Sequence, residues 1–256
     1  MNKRGFAAGM MVVAGVALAA SCGRTEAPKA LRMGTDAGFP PFEMRGGADG
    51  SEVVGFDVEV GRAIAAEAGL PLRIVDMDFD RLLPALAAGE VDLVLAALTI
   101  TGERGAQVDF SAPYYRATQV GLILAGGAVP QSKEDLKGYK LGAQVGTTGD
   151  GAAAEAVGQE NVSRFPTAEA AVAAVVAGEV ECVLVDEEVA LGFLRRNPDL
   201  MVARPGFDEE VYGVAVRKGD AALRGTVDRA LAAMKGDGRH ERWVERWWMS
   251  AAEAAE

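Results

Sequence analysis

The side chains best suited to act on another molecule here are an arginine, a few aspartates and threonines, and two phenylalanines. Arg104 carries a planar fork of donors that can meet a carboxylate through two hydrogen bonds at once. Thr99 adds a hydroxyl and a backbone N–H. Thr147 and Thr148 lie in Gly146-Thr147-Thr148-Gly149, ahead of an alanine-rich helical stretch, and a helix N-terminus favours anions. Asp186 follows the apolar run Cys182–Val185 at a strand end, a position suited to an ammonium partner. Asp36 is expensive to bury unless a cation or an amide donor meets it. Such a set suits a small zwitterion that is held rather than transformed. Each residue also has a plainer reading. Arg104 could be a surface residue of Gly102-Glu103-Arg104-Gly105, Asp186 the N-cap of a helix starting near Glu187, and Phe39 and Phe79 core packing. With a single histidine, His240, no histidine-based metal site is expected, and no cofactor either.

The elements that would position these residues alternate between short apolar runs and longer amphipathic ones. Strands are expected at Leu31–Thr35, Arg73–Asp76, Val91–Leu98, Val120–Leu124, Lys140–Gln144, Cys182–Val185, Met201–Ala203 and Tyr212–Val216. Helices are expected at Asp57–Ala68, Phe79–Ala88 and Ala168–Ala177, ended by Gly69, Gly89 and Gly178 in left-handed caps. Strands alternating with helices imply an α/β fold with a large parallel component. An internal echo divides the chain: Ala88-Gly89-Glu90-Val91-Asp92-Leu93-Val94-Leu95 aligns with Ala177-Gly178-Glu179-Val180-Glu181-Cys182-Val183-Leu184. Alanine-rich α/β chains can repeat by accident; the other explanation is two lobes built alike. A ligand then belongs between them, beyond the carboxyl ends of the strands.

Gly34-Thr35-Asp36, Phe39-Pro40-Pro41-Phe42-Glu43 and Val54-Gly55-Phe56-Asp57-Val58-Glu59 open a series of motifs. The series continues through Asp78-Phe79-Asp80, Leu98-Thr99-Ile100-Thr101-Gly102-Glu103-Arg104 and Asp109-Phe110-Ser111-Ala112-Pro113-Tyr114-Tyr115. As a set, over nearly all of the chain beyond the leader, it resembles the polar amino-acid-binding proteins of bacterial ABC importers. The resemblance implies a two-lobed periplasmic-binding-protein fold, each lobe a mostly parallel sheet flanked by helices. Lobe 1 would comprise 30–117 and 212–256, lobe 2 118–211, with crossings at Tyr115–Val120 and Phe207–Gly213. It also implies roles: Arg104 and the threonines on the ligand carboxylate, Asp186 with Thr99 and the backbone around Ala97 on its ammonium. Phe39 and Phe79 would sandwich its side chain, and Asp36 would reach the distal end. Ala96 and Ala97 stand where histidine- and lysine-type relatives have polar residues, and Val185 and Gly149 are nonpolar where relatives vary, so glutamine or arginine is the favoured ligand. Closure would present the loaded protein to a membrane permease powered by an ATPase.

The chain starts as exported proteins do. Lys3 and Arg4 precede the apolar run Phe6–Ala20, the pattern of a signal peptide over 1–21. Cys22 after Leu18-Ala19-Ala20-Ser21 resembles a lipoprotein acceptor, so lipidation at Cys22 is expected, with 22–29 as a tether outside the cell membrane. That leaves Cys182 without an internal disulfide partner, as a small buried hydrophobe. The net charge is −11, and beyond the signal 24 basic face 37 acidic residues, a charge of −13. This argues against nucleic acid and against an anionic lipid surface as partners. A monomer is expected, touching the membrane only through its anchor and the permease. Trp243, Trp247 and Trp248 fall at helical spacing and read as packing residues. The rival reading is an enzyme resembling the cyclohexadienyl dehydratases of the same fold, with Glu43, Glu187 or Glu188 as its acid, although none lies in a catalytic motif. A sensor domain is less favoured still, for want of a membrane helix or output module.

Overall fold

The structure, a computed structural model, describes residues 30–253; the expected signal peptide, tether and Cys22 lie outside them. The chain runs through β1 (Leu31–Thr35), β2 (Gly38–Phe39), β3 (Glu43–Gly46), β4 (Glu52–Val54), α1 (Phe56–Glu67), β5 (Leu72–Asp76), a 3-10 turn at Phe79–Arg81, α2 (Leu82–Ala88), β6 (Leu93–Val94), α3 (Gly102–Gln107) and β7 (Val108–Phe110). The long β8 (Tyr115–Leu124) leads to β9 (Leu141–Gln144), α4 (Thr148–Val157), β10 (Ser163–Phe165), α5 (Ala168–Val176), β11 (Cys182–Asp186), α6 (Glu187–Arg196) and β12 (Leu200–Ala203). β13 (Glu209–Tyr212) brings the chain back to β14 (Ala215–Arg217), α7 (Ala221–Gly236) and α8 (Arg239–Glu253).

Two sheets carry the architecture, and their strand orders correspond. One runs β5-β1-β6-β14-β7 and the other β10-β9-β11-β8-β12. In each, the first three strands are parallel and the last two pair antiparallel to their neighbours. The sequence echo is therefore also a topological one. Gly89 and Gly178 close α2 and α5 at φ 74° and 72°, where only glycine is unstrained, and the strands that follow enter equivalent positions. The inner parallel strands β1, β6, β9 and β11 are short and mostly buried, while β5 and β10 at the sheet edges are more exposed. Among the described residues no helix is long and apolar enough to cross a membrane.

Three elements differ from the sequence-based expectation. The run Val91–Leu98 is buried except for the half-buried Asp92, yet only Leu93–Val94 pairs as a strand; its distal half leaves the sheet to line the cleft. Tyr212–Val216 breaks at Gly213, whose position leaves no room for a side chain against Ile100, and so becomes the end of β13 and the start of β14. Phe79–Ala88 begins with a 3-10 turn rather than α-helix. The hairpin β2–β4 went unread because its strands are too short to display a period of two.

Both chain crossings between the sheets are strands. β8 and β13 pair antiparallel, with Glu210 opposite Ala117 and Tyr212 opposite Tyr115. Aromatic packing fixes their base: Trp248 lies 5.2 Å from Phe42, 5.6 Å from Phe56 and 5.3 Å from Tyr115, ring centre to ring centre. The contacts with Phe42 and Phe56 are edge-on and that with Tyr115 is tilted, and such aromatic pairs add to simple burial. The last helix thus clamps the hinge to lobe 1.

Gly55 caps α1 at φ 141°, and a methyl group there would lie 2.1 Å from the carbonyl oxygen of Phe42. Gly55→Ala should therefore destabilise by about 3 kcal/mol, through overpacking and a backbone conformation alanine avoids. At this chain length that is a fall of roughly 6–12 °C in Tm, readable by calorimetry. An unchanged Tm would contradict the packing described.

Candidate functional site

The two sheets face each other across a cavity, and every residue expected from the sequence to touch a ligand lines it: Asp36, Phe39, Phe79, Ala97, Thr99, Arg104, Thr147, Thr148 and Asp186. Asp36 follows the carboxyl end of β1 and Asp186 ends β11, where open α/β sheets place ligands. Arg104 reaches in from α3, whose N-cap Thr101 accepts a hydrogen bond from the Arg104 backbone N–H at 3.2 Å. Thr147 caps α4 in the same way for Asp150. Glu43, Ala96 and Gln144 also line the cavity.

The charges here are buried but not neutralised by one another. Asp36, Arg104 and Asp186 are 7, 9 and 5 % exposed. Arg104 donates to the Thr99 carbonyl at 2.8 Å and, across the cleft, to the Gly146 carbonyl at 3.0 Å. Its guanidinium stands 5.4 Å from the centre of the Phe79 ring, within cation–π range. Asp36 accepts from the Gln144 amide at 2.6 Å, also across the cleft, and Asp186 accepts from Gln119 at 2.6 Å. Asp186 starts α6 but its side chain makes no capping bond, so its carboxylate faces the cavity region instead.

Burial dominates the acid–base behaviour of these groups. Desolvation raises Asp36 to about 6, aided by the charges of Asp76, Asp78 and Asp80 and opposed by Gln144. Desolvation, then the charge of Glu210, raises Asp186 to about 8. The Arg104 guanidinium is lowered by burial but remains cationic at any physiological pH. A second buried layer supports the floor. Ala97 has φ 45°, a left-handed conformation costly for a residue with Cβ, and its N–H is held at 2.8 Å by the Asp57 carboxylate, which also accepts from Tyr114 Oη at 2.8 Å. Glu43 beside Asp57 is raised well above the usual range, first by burial and then by Asp57's charge. A protonated Glu43 facing Asp57 lets one buried acid serve as donor to the other.

Sequence reasoning did not include Gln119, Gln144, Asp57 or Glu210 in the site, and it weighed Glu43 only as the acid of the rival enzyme reading. Asp57 and Glu43 stood inside quoted motifs; their burial was the missing signal. Both threonine hydroxyls of the Gly146–Gly149 loop are committed within the protein, Thr147 Oγ1 to the Gln144 carbonyl at 2.8 Å and Thr148 Oγ1 to Glu210 at 2.9 Å. What the loop offers a ligand is backbone N–H at the first turn of α4, where no intrahelical acceptor exists. Of the three glutamates weighed as catalytic acids, Glu43 lines the cavity, whereas Glu187 and Glu188 lie off it; Glu187 pairs with Arg204 and Glu188 accepts from Tyr115. Cys182 is buried with its thiol raised to about 12 by desolvation, and is not in the cleft.

Residues 31–250 match the profile of the bacterial extracellular solute-binding proteins, family 3. The chain belongs to that family. The L-arginine-binding protein of Pseudomonas aeruginosa is 32 % identical over 234 residues, covering 87 % of this chain and 89 % of that one. Among solved structures, an amino acid ABC transporter substrate-binding protein of Streptococcus pneumoniae bound to L-arginine superposes with a TM-score of 0.82 at 31 % identity, covering 87 % of this chain and 95 % of that one. An ancestral arginine-binding protein bound to glutamine gives 0.80 at 39 % identity, covering 85 % and 97 %. These relatives are named for binding and transport, not for a reaction.

For this family 3 solute-binding protein, the raised carboxyls set a stability signature. Asp36, Asp57 and Asp186 bind protons more tightly in the fold than in the unfolded chain. Their stabilising contribution is complete below the unfolded value near ~3.9 and is lost as pH rises through about 6 and then about 8. The ligand-free Tm should therefore fall between about pH 5 and pH 8.5, and Asp186→Asn should flatten the upper part of that fall. Identical profiles for the two proteins would contradict the environment assigned to Asp186.

Proposed function

We propose that this protein binds a polar amino acid outside the cytoplasmic membrane, with arginine favoured and glutamine as the second choice, and delivers it to an ABC-type permease. The observation that carries this is a single cavity lined by one buried guanidinium and two buried aspartate carboxyl groups, each bonded to neutral groups. A free amino acid supplies the missing counter-charges. Its α-carboxylate meets Arg104 and the N–H groups at the start of α4. Its ammonium meets Asp186 and Thr99, beside the backbone of Ala97. Phe39 and Phe79 flank its side chain, and Asp36 takes the far end. The acidic neighbourhood of Asp36, with Asp76, Asp78 and Asp80 contributing, favours a cationic side chain over a neutral amide. The names of the relatives support arginine; the glutamine-bound ancestral protein supports the second choice.

The lobes are 30–117 with 212–256 and 118–211, and closure turns on β8 and β13. Ligand contacts made by both lobes exist only in the closed form, and those differential contacts shift the open–closed equilibrium. A lipid on Cys22 would hold the protein, as a monomer, near its permease.

A thermal-shift screen of the twenty amino acids should give its largest Tm increase with arginine. A shift with no amino acid at millimolar concentration would overturn the reading. By calorimetry, Arg104→Ala should weaken binding by about 2–5 kcal/mol, since it strands a desolvated carboxylate; unchanged affinity would remove Arg104 from the site. Asp36→Asn should weaken arginine at least about tenfold while altering glutamine little, because a carboxylate's gain over an amide depends on ligand charge. Equal losses for both ligands would count against Asp36 as the distal partner.

A further inference from the structure

The two hinge strands carry polar side chains that the ligand contacts above do not use. Glu210, on β13, accepts hydrogen bonds on one carboxylate oxygen, Oε2, from Thr99 Oγ1 at 2.7 Å and from Thr148 Oγ1 at 2.9 Å. Thr99 follows β6 in the first sheet's half of the molecule, and Thr148 opens α4 in the other half. A single oxygen on the hinge therefore joins the two facing walls of the cleft. Gln119, on the other hinge strand β8, extends the chain of bonds by donating to Thr148 Oγ1 at 3.2 Å and to Asp186 at 2.6 Å. Glu210 is not among the residues lining the cavity, whereas both of its hydroxyl partners are.

A hydroxyl has one hydrogen to give. With that hydrogen spent on Glu210, Thr99 faces the cavity only as an acceptor, and Thr148, accepting from Gln119 as well, has little left to offer. An ammonium is then favoured beside Thr99, and a carboxylate is excluded from both hydroxyls. The same bonds draw the lobes together without any ligand, and bonds to an ionised acceptor are stronger than neutral ones.

We propose that Glu210 is a positioning residue and interlobe latch. It orients the Thr99 and Thr148 hydroxyls as acceptors and populates the closed arrangement before ligand arrives. The latch deepens the solute-binding reading but is measurable without a ligand.

The test is single-molecule energy transfer on the full chain, with one fluorophore on the exposed surface of each lobe, in the absence of any amino acid. The unliganded protein should show a resolvable closed population. Glu210→Ala should lower its closed-to-open ratio at least about tenfold, given two bonds to a charged acceptor. Glu210→Gln should restore part of it, since an amide oxygen can still accept from both hydroxyls. Thr148→Val should lower the ratio and add little in combination with Glu210→Ala, as members of one network do. No closed population in the unliganded protein, or equal ratios for the parent, Glu210→Ala and Glu210→Gln, would overturn the latch. Should Glu210→Ala fail to fold, the comparison of parent with Glu210→Gln and Thr148→Val decides. A ratio that responds to Glu210 in a protein that binds no amino acid would leave the latch standing and the ligand reading fallen; ligand binding with an unresponsive ratio would mean the reverse.

Discussion

The cleft depends on keeping a guanidinium and two carboxylates out of water without letting them pair. Each ion pays a desolvation cost that only a good partner offsets, and here the resident partners are carbonyls and amides: Thr99 and Gly146 for Arg104, Gln144 for Asp36, Gln119 for Asp186. The architecture keeps the charges apart by mounting them on different elements, Asp36 after β1, Arg104 on α3 and Asp186 at the end of β11. The two mixed sheets carry these elements, and the paired strands β8 and β13 connect them.

Beneath the lining lies a second buried layer. Asp57 restrains Ala97 in a left-handed backbone conformation and is itself bonded to Tyr114, while Glu43 sits against it. These groups hold the floor of the cavity in the shape a ligand would meet, so strain and buried acid are concentrated where rigidity matters most. The hinge mixes two chemistries. Its base is an aromatic cluster around Phe42, Phe56, Tyr115 and Trp248, and its cleft side is the polar run from Asp186 through Gln119 and Thr148 to Glu210 and Thr99. Apolar packing lies at the base of the strands, and the polar run lies at their cleft side.

Much of the fold could be read along the chain. Gly69, Gly89 and Gly178 do take positive φ at helix ends, and the repeated helix–glycine–strand unit does mark equivalent places in two sheets. Strands shorter than a full alternation, such as β2 and β7, carry no periodic signal and were missed. The tryptophans of α8 pack against the hinge aromatics, as their spacing indicates.

For the site, residue type drew attention to Arg104 and strand-end position to Asp186, while the motif resemblance carried their roles and those of Asp36, Phe39 and Phe79. The internal echo pointed to two like halves, and the motif resemblance carried the two-lobed plan. Only the tertiary structure decided that Gln119, Gln144 and Glu210 belong to the same cleft, and that the threonine hydroxyls face Gln144 and Glu210. The physical reason is that glutamines and glutamates look like solvated surface residues in any linear reading. Their burial and their partners come into being only when two lobes, distant in sequence, meet across a hinge.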